Sequence, residues 1–581
     1  MLRPRHAPSV PLAALARTLE VESDDASSAA ISGVTLIASD VEPGDLFVAL
    51  PGVHRHGADF VEQAASRGAA AVLTDPVGAG ASRATGLPVL VVEETRSRLG
   101  AVAAAVYGTA ERSPVLLGVT GTNGKTSTVH MLEGILRQLG VVPGLSSTAE
   151  RHIGDTSVTS GLTTPEATEL HALVARMEEE GVGAAAIEVS AQALTRHRVD
   201  GVVFDVAGFT NLSHDHLDDY GDMETYFGEK AQLFQPERAR RAVVSLDSPS
   251  GARLRDTAGI PVTTVTSLPG VDADWTVTVL EQEFGRTGFR MQNREGRAIT
   301  TSVPIIGAHM AANAALAIGM LIEAGWPIGE IRAALHRDGG VDASLPGRTE
   351  RVSGDRGPTV YVDFGHSADA FQRTLEAVRE VTPGRVIMVF GADGDRDALK
   401  RPAMAEAAVT GSDVLVITDH HPRFEDPASI RRTLVEAALA ARPDADLHEV
   451  DDPKRAIRVA VSLAHEGDAI LWAGPGHQNY RDILGVRTPY SARAEARAAL
   501  REAGWADEVV PAHSDVVSDG PEIPLRLAAA PVANLARGVT LRSTQRLRRR
   551  AVPGRVRQTR GPPWPNPPPL HPLRPRRPPA P

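Results

Sequence analysis

The sequence predicts an α/β protein of several domains, on three observations. Apolar runs with strand character alternate with alanine-rich helical stretches along most of the chain. One of these runs, Leu116-Leu117-Gly118-Val119-Thr120, breaks into the glycine-rich turn Gly121-Thr122-Asn123-Gly124-Lys125-Thr126-Ser127 and leads straight into a helix pattern. The 581 residues also exceed what one hydrophobic core serves, so two to four domains are expected.

In chain order, residues 1–111 form a small α/β unit, with strands at Asp45-Leu46-Phe47-Val48-Ala49-Leu50 and Ala69-Ala70-Ala71-Val72-Leu73-Thr74. The apolar stretch Val10 to Ala16 is short, is interrupted by Pro11 and is followed at once by Arg17, so a cytoplasmic protein is expected rather than a secreted one. A second unit spans residues 112–344 and opens on the strand Val115 to Val119. The helix after the turn carries Val129, Leu132, Ile135 and Leu136 on one side. Strand, turn and helix together aim backbone N–H groups and a helix N-terminus at one point, which suits a polyphosphate. Lys125 then reaches the outer phosphates and the Thr126 hydroxyl meets Mg²⁺, although Val119 stands where the usual spacing has glycine.

Further along, Ala184-Ala185-Ala186-Ile187-Glu188-Val189-Ser190 is a strand ending in a carboxylate, placed either to hold Mg²⁺ beside the phosphates or to face solvent. The strand Val202 to Phe209 leads into Thr210-Asn211-Leu212-Ser213-His214-Asp215-His216-Leu217-Asp218, where chemistry alone gives His216 a hydrogen-bonding role. Met223, Phe227, Lys230 and Phe234 share a helical stripe that Tyr226 and Leu233 widen, which puts Lys230 on a buried face. Such a lysine is either paired, neutral or snorkelling from the edge of the stripe. A third unit, residues 345–510, has strands at Val360 to Asp363, Arg385 to Phe390, Val414 to Thr418 and Ala469 to Trp472, each ending in a polar or glycine-rich cluster. Residues 511–581 are dominated by arginine and proline and are expected to be disordered.

Composition narrows the function. A net charge of -11 argues against nucleic-acid binding by the folded units. The absence of cysteine removes disulfides and cysteine-ligated metal sites, and no apolar segment is long enough to span a membrane.

The turn Thr120-Gly121-Thr122-Asn123-Gly124-Lys125-Thr126, the Thr210 to Asp218 segment, Gly161-Leu162-Thr163-Thr164-Pro165, and Phe390-Gly391-Ala392-Asp393-Gly394-Asp395-Arg396-Asp397 with Lys400-Arg401-Pro402 resemble the Mur ligase family over most of residues 30 to 485. The resemblance implies a three-domain architecture: an N-terminal UDP-binding domain, a central P-loop ATPase domain and a C-terminal Rossmann-like domain. It implies an ATP-dependent amide ligase, closest to the branch that adds the third residue to UDP-N-acetylmuramoyl-L-alanyl-D-glutamate through an acyl phosphate in peptidoglycan precursor synthesis. ATP and Mg²⁺ are the implied cofactors, UDP-muramoyl-dipeptide and an amino acid the partners, and a monomer the expected state.

By the same resemblance Gly121 to Ser127, Asn313, Arg348 and Asp363 meet ATP, while Thr126, Glu188, His216 and a carbamylated Lys230 hold metal. Lys125, Glu188, His216 and Lys230 are the implied catalytic set. Thr163, Thr164, Ser190 and Arg198 face the sugar-nucleotide substrate. Arg396, His420, His421, Arg423, Gly474 and Gln478 face the amino acid.

Three segments depart from the family pattern, and all bear on specificity. Asp-Asn-Pro-Arg of the diaminopimelate-adding ligases reads His420-His421-Pro422-Arg423, Gly-Lys-Gly-His-Glu reads Gly474-Pro475-Gly476-His477-Gln478, and Asp-Ser-Arg near the uracil site reads Ile37-Ala38-Ser39. A neutral Gln478 forfeits a charge-assisted bond to a distal ammonium, worth about 1.5 to 3 kcal/mol. The two imidazoles bring groups that ordinarily titrate near neutrality. These departures keep open a diverged ligase acting on another carboxylate, of the folate or polyamino-acid type. An inactive nucleotide-binding homologue is the remaining reading, disfavoured because Lys125, Glu188 and Lys230 are all present.

Overall fold

The computed structural model describes residues 2–21, 29–52, 55–111, 114–283 and 285–506. The tail reading for 511–581 falls outside them. Three principal sheets carry the chain. The first has four parallel strands in chain order, Gly33–Thr35, Asp45–Ala49, Ala71–Thr74 and Val89–Val91, as short strand runs separated by helices require. Helices Leu12–Leu19 and Thr95–Tyr107 bury Leu12, Leu15, Leu99, Val102 and Val106 against it.

The second sheet has eleven strands, and its central run is parallel. Val115–Thr120 lies between Ala184–Glu188 on one side and Phe204–Phe209 on the other. Register pairs Val119 with Glu188 and Thr120 with Phe209, so the phosphate loop, Glu188 and Thr210 emerge together at the carboxyl ends of neighbouring strands. Both faces of the sheet are covered. Ala184 and Ala186 join the apolar cluster of helices Lys125–Gln138 and Ala308–Glu323, whereas Ala185 and Ile187 join the cluster of helix Ala167–Glu179. The period-2 alternation of a strand explains the split, and the small alanines let the loop helix pack close to the sheet. At Gly118 a Cβ would stand 2.8 Å from the Phe204 ring, so no larger residue fits that point of the phosphate-loop strand.

The third sheet runs Glu350–Arg351, Thr359–Asp363, Ala469–Ala473, Val386–Phe390, Val414–Ile417 and Asp446–Glu449, all parallel except the first pair. Asp363, Ala473 and Phe390 are in register, which gathers the segments after them, with Gly474, Gly391 and the loop after Ile417, at one edge. Strand bounds fall within two residues of those read from the sequence. Among the described residues, no helix is long and apolar enough to cross a membrane.

Candidate active site

The phosphate loop is held open by contacts that only glycine permits. Gly121 has φ +147, and a Cβ there would lie 1.9 Å from Thr210 Oγ1; Gly124 has φ +88, and its Cβ would lie 2.7 Å from Asn313 Oδ1. The Thr210 hydroxyl donates to the Asn123 carbonyl at 2.6 Å, the Asn211 side chain accepts from Asn123 N–H at 3.0 Å, and the Asn211 carbonyl accepts from Thr122 N–H at 2.9 Å. Asn313 is buried behind the loop, where the sequence reading places the nucleotide.

Two ammonium groups converge on one carbonyl. Lys125 Nζ donates to Gly121 O at 3.0 Å and Thr122 O at 2.9 Å, and Lys230 Nζ donates to the same Gly121 O at 2.8 Å. Lys230 is 2% exposed, on the helix Met223–Ala231 as the stripe predicts, with its ammonium 4.4 Å from the Tyr226 ring centre. Burial, then the neighbouring Lys125, push Lys230 well below the usual lysine range. Lys125 is also lowered, by burial first and by Arg348, against the pull of Glu188 and Asp215. Two lysine amines aimed at one carbonyl suit an anion.

Glu188 is fully buried and points at a turn, not at solvent: it accepts from Thr148 N–H at 2.9 Å and Thr148 Oγ1 at 3.0 Å. The turn Ser147–Glu150 is clamped in its place. His152 sits between Glu133 of the loop helix at 2.7 Å and Glu150 at 2.9 Å, and His130 meets Ser147 Oγ at 3.2 Å. Burial opposes charge on His152, but the two carboxylates prevail and push it up to about 9. Thr164 Oγ1 donates to the Glu188 carbonyl at 2.8 Å and accepts from Ser190 N–H at 3.0 Å; Thr163 lies alongside, bonded to Thr148 Oγ1 at 3.1 Å. Ser190 caps the helix Ala191–Thr195. Arg198 is buried and pairs with Glu166 at 3.0 Å, which Arg96 meets from the N-terminal sheet side at 3.0 Å.

The third sheet contributes from the opposite side. Arg348 donates to Thr126 Oγ1 at 2.7 Å and stacks over the Phe364 ring at 4.4 Å. The Asp363 carboxylate orders its own loop, accepting from Thr349 N–H at 2.8 Å and Gly365 N–H at 2.6 Å. Lys400 Nζ reaches Asp215 at 2.9 Å, with His366 and His216 each 3.7 Å from the same carboxylate, and Asn123 donates to Asp369 at 3.0 Å. Burial opposes charge on Asp215, but His216, His366 and Lys400 around it hold it far below the usual carboxylate range. His216 itself has φ +56 and lies within reach of Asp218 and Asp219, a group whose ligand atoms fall within 4.8 Å of one another.

These donors fit the implied metal. Glu188, Thr126 and the carboxylates beside His216 are hard oxygen ligands of the kind Mg²⁺ takes. The buried amine of Lys230, beside that of Lys125, suits an anion.

Further along the same carboxyl edge of the third sheet, His420 Nδ1 meets Asp393 at 2.7 Å, and Arg423 donates to Asp393 at 3.3 Å and to the Gly394 carbonyl at 2.9 Å. His421 accepts from Asp482 N–H through Nδ1 at 2.9 Å, so its Nε2 carries the proton and donates to Gln478 Oε1 at 2.8 Å. The expectation that both histidines titrate near neutrality is corrected here for His421: burial, then the neighbouring His420, push it down to about 3. Arg423 is likewise already engaged within the protein, whereas Arg396 is exposed. Gly474, with φ +111, lines the same edge.

Sequence reading missed Thr148, the Glu133–His152–Glu150 clamp, and Lys400 and His366 as partners of Asp215. Thr148 alone carried a usable signal, as a polar residue just past the strand Pro143–Ser146.

The chain matches three family descriptions: "Mur ligase family, catalytic domain" over residues 30–107, "Mur ligase middle domain" over 119–321, and "Mur ligase, glutamate ligase domain" over 347–476. It is 58% identical over 505 residues to the UDP-N-acetylmuramyl-tripeptide synthetase of Leifsonia xyli subsp. xyli, covering 87% of this chain and 98% of that one. It is 42% identical to the UDP-N-acetylmuramoyl-L-alanyl-D-glutamate–2,6-diaminopimelate ligase of Streptomyces avermitilis, covering 86% and 98%. Among solved structures it is similar to a UDP-N-acetylmuramoyl-L-alanyl-D-glutamate–2,6-diaminopimelate ligase, with a TM-score of 0.59, 25% identity, and coverage of 86% of this chain and all of that one.

Proposed function

This chain belongs to the Mur ligase family, and from that premise we propose that it joins an amino acid to the glutamate side-chain carboxylate of UDP-N-acetylmuramoyl-L-alanyl-D-glutamate, at the expense of ATP, in peptidoglycan precursor synthesis. The observation that carries the reading is the convergence of Lys125 and Lys230 on Gly121 O, beside Thr126 and opposite Arg348. That arrangement suits the negative charge of a transferring phosphoryl group, because such a reaction depends on positioning and charge stabilisation more than on covalent help from the protein.

In this reading the loop N–H groups and Lys125 grip the ATP phosphates, and Arg348 leaves the Thr126 hydroxyl for the nucleotide as ATP enters. Thr126, Glu188 and His216 would hold Mg²⁺, which supplies charge neutralisation on the phosphates. Lys230, pushed well below the usual lysine range by burial and then by Lys125, is suited to carry a carbamate, an anion able to join that set. Thr148 fixes the carboxylate of Glu188, and Thr163, Thr164, Ser190 and Arg198 border the entry of the muramoyl dipeptide. Transfer of the γ-phosphate to the dipeptide carboxylate gives an acyl phosphate. The amino acid, seated near Arg396, His420, Arg423, Gly474 and Gln478, attacks it through its amine and releases phosphate. The contacts of Asp215 with Lys400 and His366 favour a closed arrangement in which water is kept from the acyl phosphate.

The test is phosphate release from ATP with UDP-muramoyl-dipeptide and a panel of amino acids, with the product identified by mass. Release that depends on both substrates and yields UDP-muramoyl-tripeptide supports the reading. Release that ignores the muramoyl substrate, or occurs with a different carboxylate only, refutes it.

A further inference from the structure

The loop at residues 474–478 fixes the place of one histidine and leaves its ring unused. Gly474 N–H and Gly476 N–H both donate to the Asp363 carbonyl, at 2.9 and 3.1 Å, and Gln478 N–H closes a turn on the Pro475 carbonyl at 3.1 Å. The loop then runs hard against the segment that carries Arg348. A Cβ on Gly347 would stand 2.1 Å from His477 N, and one on Gly476, at φ +51, would stand 2.6 Å from Phe364. Glycine at both points lets the two segments touch. Arg493 donates to the His477 carbonyl at 3.4 Å and holds that backbone from a further side.

The His477 ring so placed lies 5.2 Å from the Phe364 ring, over which Arg348 stacks at 4.4 Å on its way to Thr126 Oγ1. His477 Nδ1 is buried and has no hydrogen-bond partner among the described residues. An atom of that kind is costly to leave alone, and a substrate group can supply the partner. Arg348 and Thr126 lie on the phosphate side of the ring, while Gln478, next in the chain, is bonded to His421 at 2.8 Å. The imidazole therefore stands between the two reactants that must meet. The charged and titratable groups that act on it are Arg348, Arg493, Glu150 and His130. Burial first, then the two arginines, push it down to about 3 against the pull of Glu150, so the resting ring is neutral and keeps a free lone pair. Phosphate charge brought to Arg348 offsets part of that depression once the site is loaded.

We propose that His477 is the general base of the ligation step and takes a proton from the ammonium of the incoming amino acid as its nitrogen attacks the acyl phosphate. The inference rests on the reading of this site as an acyl-phosphate ligase. The ammonium gives one proton to His477, and the freed lone pair forms the C–N bond. The C–O bond to phosphate breaks with its electron pair on the phosphate oxygen, and the second proton lost by nitrogen leaves on hydrogen phosphate. The amide keeps the third, and His477 passes its proton to water as the product departs.

Hydroxylamine tests the assignment, because it is unprotonated at neutral pH and traps an acyl phosphate as a hydroxamate without help from a base. The full chain with His477→Ala, given ATP, UDP-muramoyl-dipeptide and hydroxylamine, should form hydroxamate within about twofold of the native rate, whereas kcat with the amino acid it ligates best should fall by about a hundredfold or more near neutral pH. KM for ATP should not change. The deficit should shrink as the pH is raised, since free amine from solution then needs no base. Amide formation that survives in His477→Ala, a loss of amide and hydroxamate together, or a deficit that does not depend on pH overturns the proposal; the joint loss would mark a residue that only packs on Phe364. If the native chain yields no hydroxamate, the acyl-phosphate reading itself fails and takes the proposal with it.

Discussion

Replacing His152 by glutamine tests how the turn that steers Glu188 is held. His152 is 16% exposed at its side chain and lies between Glu133 and Glu150. The fold lifts it from 6.5 to about 9. A shift of that size corresponds to about 3 kcal/mol of extra proton affinity in the folded state. The sign follows from the direction. A group whose pKa is raised by folding stabilises the fold fully below its unfolded value near 6.5, and loses that contribution as the pH rises through 9. Glu133 and Glu150 are both lowered in the fold, so the clamp also weakens in acid. Urea unfolding of the native protein and of His152→Gln should therefore differ most near pH 6, and the gap should close by about 3 kcal/mol on going to roughly pH 9.5. The variant should also lose about tenfold in kcat near neutral pH, because the Ser147–Glu150 turn carries the Thr148 contacts to Glu188. A gap that is constant across this range would show that His152 is not charged in the folded protein, and the clamp argument would fall with it.

Gly121→Ala should abolish ATP binding, measured by calorimetry, since its Cβ would collide with Thr210 Oγ1 at 1.9 Å and φ +147 excludes alanine; micromolar ATP affinity in the folded variant would contradict this. Lys230→Ala should lose most turnover and regain part of it with added short carboxylic acids, which can occupy the vacated anion position; an undiminished rate would remove the carbamate. Lys400→Met removes the closest partner of the buried Asp215 carboxylate, which links the second and third sheets, so the two should part to let that charge reach water and kcat should fall by at least about tenfold. Solution scattering on that variant should show a more open particle, and a profile identical to the native one would refute the role of the Asp215–Lys400 pair in closure.

The sequence by itself determined the α/β class, the strands that end in chemistry, and the place of each residue on its own element. The phosphate loop, the strand ending in Glu188 and the buried stripe holding Lys230 were all legible, because they rest on short-range spacing: a period of two along a strand, a period near 3.6 along a helix, and glycines at positive φ in a turn. Even the burial of Lys230 followed from its neighbours four and three places along the helix. What those residues do to one another was decided only by the tertiary structure. Thr126 and Arg348 are 222 positions apart, Asp215 and Lys400 are 185 apart, and His421 and Gln478 are 57 apart. No local periodicity links such pairs; they meet because strands in register deliver their carboxyl ends to one edge and because two sheets face each other across it. The hydrogen bonding of the two histidines is the sharpest instance. Adjacent and chemically identical in the sequence, they part company because a backbone N–H of Asp482 reaches one ring and a carboxylate of Asp393 reaches the other.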